Sequence, residues 1–111
     1  MVVSEAERLG YRPMGNAVPP AKEIYMATIK RIVLDVLKPH SPNVVELAQR
    51  IAEENAGCRV QITVSEMDEN TESLIVVIEG EGIEFEAVDS ALSSMGASLH
   101  SIDDVVVTHG E

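Results

Sequence analysis

The stretch Ile29–Leu37, IKRIVLDVL, runs straight into Lys38-Pro39-His40-Ser41-Pro42, and the reading of this boundary decides the fold. Val, Ile and Leu dominate its first part, and β-branched side chains suit a pleated, extended backbone better than a helix. Pro39 removes a donor amide and ends the pattern. Ser41 then stands where a helix N-cap is wanted, with Pro42 at the first helical position, where a missing N–H is harmless. Val44, Val45, Leu47, Ala48, Ile51 and Ala52 recur at helical spacing up to Gly57, which predicts a helix of about four turns.

Outward from this strand and helix the pattern repeats. Arg59–Ser65 (RVQITVS) alternates, with Val60, Ile62 and Val64 on one side and Gln61, Thr63 and Ser65 on the other. The polar run from Met67 to Glu72 turns the chain. Leu74–Ile78 (LIVVI) is apolar on both faces, which places it inside a sheet rather than at an edge. After a break at Glu79–Gly82, Phe85, Val88, Leu92 and Met95 predict a second amphipathic helix that stops at Gly96. Ser98–Val107 closes the set as a strand, and Thr108–Glu111 reads as a fraying end.

Strand, helix, strand, strand, helix, strand with right-handed crossovers gives an α+β, ferredoxin-like βαββαβ sandwich. Its four strands form an antiparallel sheet in the order 4-1-3-2, with both helices on one face. The domain spans 26–111. Residues 1–25 carry no clear period beyond one short helical turn over Ser4–Leu9, and Gly10, Pro13, Gly15, Pro19 and Pro20 mark them as a disordered N-terminal extension. Ile32, Leu34 and Val36 are expected beneath the helices. Val33, Asp35 and Leu37 then face outward, joined by Ile75 and Val77. Monomers seldom leave so much contiguous apolar surface bare, so self-association through this face or its edges is expected.

Bulk properties narrow the function. Eight Lys and Arg against nineteen Asp and Glu give a net charge of −11. The first 25 residues balance Glu5, Glu7 and Glu23 against Arg8, Arg12 and Lys22, so the excess lies downstream. Phosphate neutralisation on nucleic acid needs the opposite sign, and an anionic membrane would repel this chain. Aromatics make up only 3% of residues, so no base-stacking platform is available. Cys58 is the lone cysteine, which excludes an intrachain disulfide, a cysteine zinc cage and an iron–sulfur cluster, and suits a reducing cytoplasm. No signal peptide or membrane-spanning run is legible, and a cytoplasmic location is expected.

The topology brings separate polar pieces to one end of the sheet: Lys38-Pro39-His40-Ser41, the turn Glu66–Thr71, and His100-Ser101-Ile102-Asp103-Asp104. Asp35 lies slightly deeper, beside the last strand. Lys38, His40, Ser41 and Ser101 are candidate ligand-binding residues, and Asp35, Glu66, Asp68, His100 and Asp103 are candidate metal ligands. Oxygen-rich groups suit Ca²⁺ or Mg²⁺, and His with carboxylate suits Zn²⁺. Plainer roles compete with these. Asp-Glu-Asn-Thr-Glu also suits a β-turn, His40 a hydrogen bond to the first helical turn, and His100 an interface histidine.

Other functions of the topology lack their residues. An RNA-recognition sheet needs aromatics where this chain has Val, Ile and Leu. A copper carrier needs paired cysteines, and an acylphosphatase needs an arginine and a backbone cradle where this chain has Lys-Pro-His-Ser. No glycine-rich phosphate loop, nucleophile elbow or His-Glu-x-x-His occurs.

Arg31–His40 (RIVLDVLKPH), Val60–Glu72 (VQITVSEMDENTE) and His100–Val106 (HSIDDVV) together resemble a family of small archaeal proteins catalogued as domain of unknown function 211. The likeness covers about residues 26–107. It implies a ferredoxin-like fold and homo-oligomers, in the form of rings, and it implies that Asp35, Lys38, Pro39, His40, His100, Ser101 and Asp103 are hallmark positions. It implies no activity, and the extension over 1–25 departs from the family's compact chain. The expectation is a non-enzymatic, homo-oligomeric module of regulatory type that binds a small ligand or divalent cation. An adaptor assembly docking a protein partner and a metal-assisted hydrolase are the alternatives.

Overall fold

β1 (Ala27–Pro39) runs through the middle of the sheet, antiparallel to β3 (Thr71–Glu79) on one side and to β4 (Ser98–His109) on the other. β2 (Arg59–Met67) forms the far edge beyond β3, so the order is β2-β3-β1-β4, the expected one. α1 (Val44–Glu54) and α2 (Phe85–Ser94) complete the βαββαβ sequence of a ferredoxin-like domain. The computed structural model describes residues 27–109, and the expected extension over 1–25 lies outside them. Among the described residues no helix is long and apolar enough to cross a membrane.

Side-chain parity builds the core. Ile32, Leu34 and Val36 on β1 stand opposite Ile78, Val76 and Leu74 on β3, and all six are buried. Leu47 and Ile51 of α1 and Val88, Ala91 and Leu92 of α2 close over them. At about 25 cal/mol per Å² of apolar surface removed from water, this layer is the main stabilising term of the fold. Asn55, buried at the end of α1, donates to Ile51 O and accepts from Glu84 N, which joins the end of one helix to the start of the other. Gly57 (φ 84°) and Gly96 (φ 76°) sit where the helices stop, in the left-handed region that favours glycine.

The chain departs from expectation at several boundaries: β2 runs on to Met67 and β4 to His109, past the expected ends at Ser65 and Val107. Ser41 does not cap α1. Asn43 does, its Oδ1 accepting from Glu46 N at 2.9 Å. The reason lies upstream: Lys38 Nζ donates to the carbonyls of Pro39 and Pro42, so residues 39–42 wrap an ammonium group before the helix begins. β3 starts at Thr71, three residues before Leu74. Asp68 Oδ1 accepts from Asn70 N, Thr71 N and Thr71 Oγ1 and closes the turn tightly enough for the ladder to resume at once.

The helices leave β4 largely uncovered. Ile102 and Val105 stand opposite Leu34 and Ile32 on the helix-facing side, yet are 51% and 49% exposed. On the other side, Leu37 and Ile75 are exposed as expected, Val33 and Val77 are half-buried, and Val106 adds to the bare face. Among the described residues, Val45 is the one large exposed apolar residue outside the strands, so this surface belongs to the sheet.

Candidate functional site

Strand parity divides the polar end of the sheet. Lys38 continues the inward-facing series Leu34, Val36, and Glu72 begins the inward-facing series Leu74, Val76, so this pair lies on the helix side. Asp35 has the opposite parity and lies on the bare face. The single neighbourhood expected for all the candidates is therefore two clusters on opposite faces.

On the helix side, Lys38 is completely buried. Its Nζ donates to Pro39 O at 2.6 Å and to Pro42 O, and lies 3.3 Å from Glu72 Oε1. An ammonium so engaged within the chain ties the β1–α1 connection to β3. His40 Nδ1 is 3.0 Å from Glu72 Oε2, and its Nε2 is 2.9 Å from Asp68 O and 3.1 Å from Glu69 O. The ring thus spans from β3 to the β2–β3 turn, away from the first turn of α1. The Glu72 carboxylate and the Asp68 carbonyl hold the His40 pKa above its usual value, and Glu69 O adds to them against some desolvation. Glu72 is held below the usual carboxylate range, first by His40 and then by Lys38.

Asp68 sits low for another reason, the amides of Thr71 and then Asn70 that donate to it. Its carboxylate organises its own turn, which is the plainer of its two expected roles. Ser41 is exposed in the β1–α1 connection, and Glu66 lies on the exposed part of β2, beside the register shift between Val64 and Glu66.

On the bare face, Asp35 Oδ2 is 3.3 Å from His100 Nδ1, and Ser101 Oγ donates to Asp103 Oδ1 at 2.7 Å. His100 falls within the register shift between the pairs Asp35–Ser101 and Val36–Leu99, and such a bulge re-aims a side chain. Arg31 continues the polar line, bonding Asp104 Oδ2 at 2.9 Å and Glu79 Oε2 at 3.2 Å. Among the described residues, no three His, Cys, Asp or Glu side chains gather closely enough to hold a metal ion, so the five candidate ligands do not form one centre.

Glu72 is the residue that sequence reasoning missed. The polar run Met67–Glu72 predicts a turn there, whereas extending the Leu74–Val76–Ile78 parity back by two residues places Glu72 inside, facing Lys38.

The family model described as "Uncharacterized ArCR" matches residues 30–110. The chain is also similar to the uncharacterised protein MJ0319 of Methanocaldococcus jannaschii, at 42% identity over 81 residues, covering 73% of this chain and 84% of that protein. Both polar clusters fall within the matched span, and on this footing the chain belongs to the DUF211 family.

Proposed function

We propose that the protein is a non-enzymatic homo-oligomeric module of regulatory type, whose copies meet through the bare sheet face and the β4 edge. The observation that carries this reading is the exposure of apolar side chains on both sides of β4: Ile102 and Val105 toward the helices, Val106 toward the bare face. An edge strand presents unpaired amides and carbonyls, and soluble proteins blunt such edges with charge or cover them. Here the strand stays apolar over Val105-Val106-Val107, which suits burial against a second copy. The Asp35–His100 pair lies on the same surface. In an assembly it contributes two groups to a small ligand or divalent cation, and residues of another copy supply the rest.

A native mass spectrum of protein purified without chelator tests both parts of the proposal. The expected result is a discrete oligomer that retains a cation or ligand, with the retained mass lost in Asp35→Ala and His100→Ala while the subunit count persists. An oligomer with no retained mass in any variant would overturn the ligand half, and a bare monomer would overturn the whole reading.

A further inference from the structure

The contacts of His40 are chemically one-sided. Nδ1 faces a carboxylate oxygen of Glu72, and Nε2 faces the carbonyl oxygens of Asp68 and Glu69. Carbonyls only accept, and a carboxylate with its other oxygen 3.3 Å from Lys38 Nζ is kept ionised, so it also only accepts. A neutral imidazole has one N–H and one lone pair. Either tautomer would set that lone pair against an acceptor, whereas the imidazolium satisfies every contact.

We propose that His40 is a pH-operated latch: its imidazolium ties the β2–β3 turn to the β1–α1 connection, and loss of one ring proton to water frees the turn. This rests on observations separate from those behind the assembly reading.

Every charged group around the ring fits the proposal. Glu72 on β3 stabilises the cation directly. Lys38 on β1 carries the same charge, but Glu72 lies between the two and touches both. From the turn, Asp68 and Glu69 offer carbonyls, and the Asp68 carboxylate is directed into its own turn. The His40 side chain is 40% exposed, so its proton exchanges with solvent without unfolding the domain. The freed segment has a natural hinge. The register shift between Val64 and Glu66 interrupts the β2–β3 ladder below the tip, and the Asp68 hydrogen bonds let the tip move as a unit.

The direction follows from linkage. A histidine whose folded pKa is raised stabilises its surroundings fully below its unfolded pKa, and that contribution fades as pH rises through the folded value. The latch is therefore fully engaged below pH 6.5, as long as Glu72 stays ionised, and is released as pH rises through the raised folded value.

Nitrogen NMR of the labelled full chain, with hydrogen exchange followed across the same pH series, tests the latch. Both His40 ring nitrogens should carry protons at pH 6.5, the ordinary midpoint for histidine. Exchange over residues 66–71, corrected for its intrinsic pH dependence, should accelerate several-fold as His40 titrates while the helices stay protected. His40→Gln should remove that step. A single ring proton at pH 6.5, a turn whose protection is flat through the titration, or a step that persists in His40→Gln would overturn the proposal. Should His40→Gln fail to fold, the wild-type titration decides alone.

Discussion

Lys38 Nζ and Glu72 Oε1 lie 3.3 Å apart across the β1–β3 ladder, where the helix-facing side of the sheet changes from hydrocarbon to charge. Lys38 follows Val36 in the inward series, and Glu72 precedes Leu74. The pair closes the end of the core by using its charges internally, on each other, on two carbonyls and on His40. Breaking a buried pair leaves the surviving charge uncompensated, whereas replacing both partners with apolar groups is often nearly neutral. Lys38→Met is therefore expected to cost about 3 kcal/mol in urea unfolding, and adding Glu72→Leu should recover only the part due to the uncompensated carboxylate, because Pro39 O, Pro42 O and His40 still lose their partner. A double variant as unstable as the single one would refute this view of the pair.

Helix capping provides a sharp contrast between neighbouring residues. Asn43→Ala removes the acceptor for Glu46 N and should destabilise the fold by about 1 kcal/mol, whereas Ser41→Ala should fall within measurement error. Thermal unfolding of the two variants side by side distinguishes these positions, and the reverse ranking would restore Ser41 as the cap.

Gly80 packs against Cys58. A Cβ built on Gly80 would lie 2.7 Å from Cys58 Sγ and 3.2 Å from the Cys58 Cα, so the backbone just before β2 as well as the thiol resists it. Gly80→Ala should lose about 1–3 kcal/mol through overpacking. Adding Cys58→Ala removes the sulfur but not the backbone contact, so it should restore only part of the loss. Full recovery would place the whole clash on the thiol.

Acid titration has a worked sign. Asp68 and Glu72 both have folded pKa values held below their unfolded ones, so their contribution is present above the ordinary carboxylate pKa of about 4 and is lost as pH falls through the folded values. Stability should decline in that acid window, and Asp68→Asn should flatten part of the slope in chemical denaturation at stepped pH. An unchanged slope in that variant would show that the turn's hydrogen bonds do not act through the ionised carboxylate.

Element order and sheet topology were legible because hydrophobic period is a strong signal. Val60-x-Ile62-x-Val64 marks a strand, and Val44 to Ala52 marks a helix, whatever lies around them. Parity then placed Ile32, Leu34 and Val36 inside and Asp35 outside. The pairing of β1 with β4 placed Asp35 beside the last strand, but its contact with His100 depends on the register shift there, which the sequence pattern does not show. The destination of Lys38 was not legible, since a lysine is ordinarily a surface residue and only the carbonyls of Pro39 and Pro42 together with Glu72 make its burial tolerable. The cap went to Asn43 for the same reason, because the loop first wraps that ammonium. Exposure of β4 depends on how far the helices reach across the sheet, which local pattern does not encode.

Self-association through the sheet is the central claim, and the molar mass of the full chain by size-exclusion chromatography with light scattering tests it most directly. Wild type should elute as a discrete multiple of 12.0 kDa, and Ile75→Lys with Val106→Lys, which places charge on the bare face, should shift it toward a folded monomer. A wild type that remains monomeric at all concentrations, or an oligomer indifferent to those two lysines, would contradict the account.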